Sequence, residues 1–396
     1  MPVQIPFDRE RLDALCEKRG VDAVVATTKH NLQYLLAGYR YFFFANMDAI
    51  GLSRYLPALG YLKGRADDAF YIGAGNEAWG TDTFDLWVPE VRNVSWSSVD
   101  TAHAVASALR ERGLSGRGTV AVESAFIPAD AMDVLRAELP GVVFVDAQTL
   151  LEELRAVKTP DELVLVRQAS EKIIESMLAT FEAARPGETK SAIAERFRRE
   201  QTARGLDFDY ALVTAGPSLN RAPTDREVWR PGTTLSLDSG GMYRGYIGDL
   251  ARMGVGAAAP TGLQADLLAE VEAVQQAARG PVRAGRRGGD IFDAAHKALV
   301  SCPHAEEMSF VAHGMGLITH EAPRLTATGP VPYPADHAES PLRPGMVLSI
   351  ETWVENGEVG FVKLEDTLIV TADGWEAPGD VGRGYQVPAA CMTGAV

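Results

Sequence analysis

Five residues in the C-terminal half of the chain have the side chains of a metal centre: Asp238, Asp249, His313, Glu351 and Glu365. They lie in four glycine-punctuated segments that otherwise read as apolar strands. A carboxylate buried in such a segment costs several kcal/mol unless a cation or a hydrogen-bond network compensates it. A pair of divalent metal ions would compensate all four. Oxygen-rich coordination with a single imidazole suits hard to borderline ions such as Mn, Fe, Co or Zn and does not select among them. Two such ions roughly 4 Å apart bridge a hydroxide, lower its pKa toward neutrality and polarise the carbonyl it attacks, which is chemistry for hydrolysing a C–N bond.

Spacing supports the grouping. Leu235 to Gly241 and Met242 to Asp249 read as two strands meeting at a glycine-rich bend, and a bend of that kind closes Asp238 and Asp249, eleven positions apart, to metal-bridging distance. The segment from Phe310 to Pro323 holds His313 and His320, seven apart, which suits one metal ligand and one catalytic group. Gly314 and Gly316 would let the backbone approach a crowded site. In Met346 to Glu351 and Gly360 to Thr367 the period of two places Ser349 with Glu351, and Lys363 with Glu365, on one face. Lys363 is therefore expected to point toward the same cavity as Glu365. Each of these residues alone also reads as a turn aspartate, a core histidine or an edge-strand charge; the joint occurrence favours chemistry.

The elements that must position these groups fall into two parts. From Arg9 to Gly20 the pattern predicts a helix, and Val21 to Thr27 a buried strand. Further strands are expected at Ala69 to Ile72, Thr119 to Val122 and Val142 to Asp146, with helices over 101–112 and 129–138, which together indicate an α/β layer domain over residues 1–156. The aromatic run from Asn31 to Met47, with Tyr34, Tyr39, Tyr41, Phe42, Phe43 and Phe44, reads as an apolar strand and turn or as a wall of a substrate pocket. A boundary lies near Arg155 to Thr159. Thr159, Pro160 and Glu162 form a capping-box signature that opens a helix to about Ala184, and Arg185-Pro186-Gly187 stops it. A second helix, capped by Thr189 or Ser191, should run to about Ala203, with two more over 262–279 and 289–301. Residues 157–396 thus read as an α+β domain whose strands bear the five ligands.

At 396 residues the chain is long enough for two or three cores. Its 38 basic and 53 acidic residues, a net charge of −15, argue against nucleic acid or an anionic membrane as partner. Cys16, Cys302 and Cys391 lack CxxC spacing, so neither a disulfide framework nor a thiolate zinc site is indicated. Without an apolar h-region near the N-terminus or a run of about 20 apolar residues, the expectation is a cytoplasmic protein.

The four ligand segments resemble those of the pita-bread metallohydrolases: methionine aminopeptidase, aminopeptidase P, prolidase and creatinase. The pattern Asp-x-Gly-x-x-Tyr-x-Gly-Tyr-x-x-Asp is met by Asp238, Gly240, Tyr243, Gly245, Tyr246 and Asp249, and His-Gly-x-Gly-Leu-x-x-His-Glu-x-Pro by residues 313–323. The resemblance covers about residues 150–375, and the preceding α/β domain looks like that of the prolidase, aminopeptidase P and creatinase branch. It implies a pita-bread catalytic domain, a homodimer and two divalent metal ions, manganese among the candidates. By that resemblance Asp238 would bind the first metal and His313 with Glu351 the second, Asp249 and Glu365 would bridge them, Glu351 would act as general base, and His320 would hydrogen-bond the substrate or its oxyanion.

Two departures bear on the substrate. Relatives carry a histidine in a Pro-His context upstream of the first aspartate; Pro217 to Pro223 here has none, and Asn220 or Arg221 stands there instead. Prolidase-type enzymes have Arg where this chain has Lys363 and Pro where it has Thr352; an ammonium reads a carboxylate only as a point charge. Lys363, Asn220 and Arg221 are the expected substrate contacts. The leading reading is a metal-dependent hydrolase of the Xaa-Pro aminopeptidase or prolidase type acting on a small peptide or amide. The alternatives are a creatinase-like hydrolase, or a lyase such as a dimethylsulfoniopropionate lyase, acting on a small non-peptide metabolite, and a catalytically silent binding module, which the complete ligand set disfavours.

Overall fold

The computed structural model of the chain describes residues 4–41, 54–327 and 334–388. Two compact units, Met1–Arg155 and Ala156–Val396, divide it.

The first unit runs α1 (Arg9–Arg19), β1 (Ala23–Ala26), α2 (Lys29–Leu35), β2 (Ala58–Leu62), β3 (Arg65–Ala74), α3 (Ala78–Thr81), β4 (Glu90–Ser95), α4 (Ser98–Glu111), β5 (Thr119–Val122), α5 (Ala129–Glu138), β6 (Val143–Asp146) and α6 (Gln148–Arg155). Its sheet has the order β4-β3-β2-β1-β5-β6, with β1, β5 and β6 parallel and β2 antiparallel to its neighbours. Helices α4 and α5 pack Val105, Leu109, Met132 and Leu135 against Val25, Phe70 and Val120 of the sheet. The expected strand over the aromatic run does not form at its start: Lys29–Leu35 is a helix, capped by the Thr28 hydroxyl on the Asn31 N–H. Buried Glu123 organises that corner, accepting hydrogen bonds from the Thr28 N–H at 2.8 Å, the Thr28 hydroxyl at 2.6 Å and the Asn31 amide at 2.6 Å. Such a long-range anchor outweighs β-propensity. Phe42, Phe43 and Phe44 lie outside the described residues, as does Cys391.

The second unit opens with α7 (Pro160–Ala183), whose capping box is formed on both sides by Thr159 and Glu162. α8 (Lys190–Ala203), capped by Thr189, follows, then β7 (Asp207–Phe208), β8 (Leu212–Ala215), β9 (Thr234–Tyr243), β10 (Tyr246–Val255), α9 (Gly262–Arg279), α10 (Asp290–Leu299), β11 (Met308–Gly314), β12 (Val347–Asn356), β13 (Gly360–Val370) and β14 (Trp375–Glu376). The strands form one sheet, β11-β12-β13-β10-β9-β7, with β14 on β13 and β8 on β9. Between β9 and β10 the two turn residues Arg244 and Gly245 both have positive φ, 50° and 84°, as a tight primed hairpin turn requires. Helices α7 and α9 lie against the sheet. Val271, Val274 and Ala278 of α9 meet Leu348, Ile350 and Leu364 of β12 and β13 in one buried cluster.

Strand β13 presents opposite faces at consecutive residues. Glu365 points one way; Asp366, next to it, is buried on the other among three guanidiniums, with Arg252 Nη2 at 2.8 Å, Arg279 Nη2 at 2.5 Å and Arg383 Nη1 at 2.6 Å. The Gln275 amide adds a donor at 2.9 Å. Burial alone would raise the Asp366 carboxyl, but the charges of Arg252, Arg383 and Arg279 hold it well below the usual carboxylate range. Removing one partner of such a network strands the others: Asp366→Asn should cost about 3–5 kcal/mol in urea unfolding. A depressed native pKa contributes stability that is present above the unfolded value, about 3.9, and is lost as pH falls below it. The stability gap between wild type and Asp366→Asn should therefore narrow on acidification through about pH 4.

Candidate metal centre

Register gathers the five ligand-type residues on one face of the second sheet. In an antiparallel sheet, residues paired directly across two strands project to the same side, as do residues two apart along a strand. Glu351 on β12 pairs with Glu365 on β13, Glu365 with Ala251 on β10, and Ala251 with Asp238 on β9. Asp249 lies two residues before Ala251, and His313 on β11 pairs with Ser349, two before Glu351. All five are buried. Two glutamates directly opposite one another repel unless a positive charge lies between them.

The imidazoles are neutral. His313 and His320 stack with centroids 3.8 Å apart, and burial pushes His313 down to about 4 and His320 to about 3. Nδ1 of His313 lies 3.3 Å from the Gly314 carbonyl, which leaves Nε2 as the lone-pair nitrogen. Among the described residues that Nε2 has no hydrogen-bond partner, and it stands 3.9 Å from Asp249 Oδ2 and 3.9 Å from Glu351 Oε1. Donor atoms of Asp249, His313 and Glu365 all lie within 4.8 Å of one another. Metal–ligand bonds of about 2.0–2.2 Å put donors on opposite sides of an ion at about this separation, and an orphaned buried nitrogen facing carboxylates is otherwise a cost without compensation. The residues fit a divalent cation. Burial, and then the charges of Glu365 and Asp238, push the Asp249 carboxyl well above its usual range; a cation would reverse that.

The other oxygens already have partners. Tyr210 donates to Asp249 Oδ1 at 2.6 Å, and Ser349 to Glu365 Oε1 at 2.7 Å. Lys363 Nζ donates to Asp238 Oδ2 at 2.6 Å and forms ion pairs with Glu351 Oε2 at 2.6 Å and Glu365 Oε2 at 2.8 Å. Burial alone would lower its pKa; Asp238, Glu351 and Glu365 outweigh that and keep it protonated. Lys363 thus lies on the same side of the sheet as Glu365, as its spacing implied, with its ammonium among the ligand-type carboxylates.

The remaining expected contacts divide. The Asn220 amide donates to Glu227 at 3.0 Å and its carbonyl oxygen accepts from the Ala222 N–H, so it builds its own loop. Arg221 is held by its carbonyl, which accepts from Val213 N–H at 2.7 Å. Its half-exposed guanidinium lies over the Phe361 ring at 4.3 Å and the Trp353 ring at 5.6 Å, and its charge reaches Asp238. Tyr210 was invisible to pattern reading; Gly240 admits it, because a Cβ there would stand 2.7 Å from the tyrosine ring. Gly316 makes room for a buried ion pair, Lys158 Nζ to Glu321 Oε1 at 3.0 Å, where a Cβ would lie 2.5 Å from both side chains.

A ligand set of this kind has a thermal signature. Adding Mn at about a hundred times its Kd to chelator-treated protein should raise the melting midpoint by roughly 5–10 °C. In His313→Ala that shift should disappear; an undiminished shift would place the ion elsewhere.

Comparison with known proteins agrees with this geometry. Residues 164–372, more than half of the chain, match the model of metallopeptidase family M24, and residues 9–157 match the creatinase/prolidase N-terminal domain. The chain is 26% identical over 307 residues to an Xaa-Pro dipeptidase of Lactobacillus helveticus, covering 74% of this chain and 80% of that one. It is 23% identical over 269 residues to an Xaa-Pro dipeptidase of Pyrococcus horikoshii, covering 66% and 73%. The solved Xaa-Pro dipeptidase from Bacillus anthracis superposes with a TM-score of 0.78 at 19% identity, over 96% of this chain and 98% of that one. A half-length family match together with the buried carboxylate–imidazole set makes the chain a metallohydrolase that belongs to metallopeptidase family M24.

Proposed function

We propose that the chain hydrolyses the C–N bond of a small peptide, with Xaa-Pro dipeptides as the leading substrates, in the cytoplasm and as a homodimer. The observation that carries this reading is His313 Nε2, buried and, among the described residues, without a hydrogen-bond partner, facing the oxygens of Asp249 and Glu351 at 3.9 Å. Among the described residues no helix is long and apolar enough to cross a membrane, and the relatives named as Xaa-Pro dipeptidases support the peptide class.

A divalent ion held by His313, Asp249, Glu351 and Glu365 would supply Lewis acidity toward water and the scissile carbonyl. The chain's own groups do the rest. Glu351 has one oxygen turned toward His313 and the other on Lys363, so the ammonium fixes the carboxylate that takes a proton from the attacking water. His320, neutral and stacked on His313, offers an N–H to the oxyanion. Arg221 is a cation whose charge reaches Asp238, and its planar fork suits the carboxylate of a dipeptide better than Lys363 does.

The loop from Pro217 to Pro223, which has no histidine, favours a small non-peptide amide as the second reading. A screen with added Mn, Co or Zn separates the two: release of proline from Xaa-Pro dipeptides supports the first, and turnover of small amides alone overturns it. If Arg221 reads the substrate carboxylate, Arg221→Ala should raise KM about tenfold to a hundredfold, the loss of one charged hydrogen-bonded pair, with kcat little changed. An unchanged KM removes Arg221 from the substrate site.

A further inference from the structure

The ammonium of Lys363 lies where cationic charge is expected from metal. Its three carboxylate neighbours, Asp238 Oδ2, Glu351 Oε2 and Glu365 Oε2, stand 2.6, 2.6 and 2.8 Å away, the spacing of strong charge-assisted contacts. Lys363 and Glu365 share a strand face, so the side chain needs only to curl along β13 and onto β9 and β12 to reach all three. A dinuclear site would ask Asp249 and Glu365 to bridge with both oxygens and Asp238 to face an ion. Here Asp249 Oδ1 accepts from Tyr210, Glu365 Oε1 accepts from Ser349, and Asp238 Oδ2 is paired with Lys363. Among the described residues, the group with donor atoms close enough to hold an ion together is Asp249, His313 and Glu365, and Glu351 Oε1 faces the same imidazole nitrogen.

We propose that Lys363 is a built-in cation that takes the place of one metal ion, so that the site binds a single divalent ion on His313, Asp249, Glu351 and Glu365, and Asp238 serves the lysine and not a metal. The charge count is consistent with this. Four carboxylates are compensated by one ammonium and one divalent ion to a residual charge of −1, whereas a second divalent ion added beside the ammonium would take the site to +1. The lysine does the second ion's electrostatic work without a second ion's ligands, and it holds Glu351 in place while doing so. The proposal rests on the metal-dependent reading above but not on its substrate.

Mn titration of chelator-treated full-length protein, followed by elemental analysis and electron paramagnetic resonance, tests it without turnover. Wild type should bind one equivalent and give the spectrum of an isolated Mn ion; two equivalents with the coupled spectrum of ions about 4 Å apart would overturn the proposal. Lys363→Met, which frees three carboxylate oxygens at nearly constant volume, should bind two; continued binding of one would show that the lysine is not what excludes the second. Asp238→Asn should leave Mn affinity within about threefold, whereas His313→Ala should lower it at least a hundredfold; an equal loss in both would make Asp238 a ligand. If Lys363→Met does not fold, the wild-type stoichiometry and the Asp238→Asn comparison still decide. One equivalent bound with no peptide hydrolysed would sink the peptidase reading alone, and two equivalents bound with dipeptides turned over would sink this inference alone.

Discussion

Four carboxylates on one buried sheet face need positive charge, and the second unit is arranged around that need. Two unit charges about 4 Å apart at an effective dielectric near 20 repel by on the order of 4 kcal/mol. Several such pairs would consume the roughly 5–15 kcal/mol by which a domain is stable. Glu351 and Glu365 are paired across adjacent strands, Asp238 and Asp249 follow on the next two, and all are buried. Burial pushes the carboxyls of Asp238, Asp249 and Glu365 above their usual range. Lys363 and a metal ion turn that liability into a reactive site.

The opposite face of the same strands meets the same problem with fixed charges alone. Asp366 follows Glu365, and Arg252 follows Ala251, so alternation sends both to the helix side of the sheet, where Arg279 and Gln275 of α9 and Arg383 complete the network. Those three guanidiniums are permanently charged. The network ties β10, β13, α9 and the segment around Arg383 together. It clamps the strand that carries Glu365 and Lys363 from behind, and a rigid backing of this sort keeps catalytic side chains within tenths of an ångström of their working geometry.

Much of this was legible before any coordinates. The capping box at Thr159 and Glu162 starts α7 as its pattern implied, and period two placed Lys363 beside Glu365 and Ser349 beside Glu351 on shared faces. Alternation fixes a side chain's direction; it does not say where the end of a four-carbon stem settles. The spacing of Lys363 thus gives its face, and the structure adds that its ammonium curls back onto three carboxylates. For Asn220 the structure adds that its amide bonds Glu227 and the Ala222 N–H within its own loop. Tyr210 and the Asp366 network escaped notice because their partners are far away in sequence: 39 residues separate Tyr210 from Asp249, and 114 separate Arg252 from Asp366. No local period encodes such a pairing. The same holds at Lys29–Leu35, where Glu123, from a different strand end, anchors a helix in a run whose composition suggests a strand.

That the ligand-facing cation is a lysine and the solvent-facing one an arginine follows from shape. An ammonium is compact, with three donors radiating from one atom, and fits among carboxylates from three strands much as a small ion does. A guanidinium at residue 363 would spread its charge over a plane and offer paired donors in a fork, suited to one carboxylate at a time. At Arg221 the planar group lies over the Phe361 ring and has Nη2 3.7 Å from Glu355 Oε1, contacts that suit a flat, delocalised cation. The two departures from the prolidase pattern, Lys363 and a Pro217–Pro223 loop without histidine, thus meet at β13: the first sets a compact ammonium among Asp238, Glu351 and Glu365, and the second leaves Arg221 over the ring of Phe361 on the same strand.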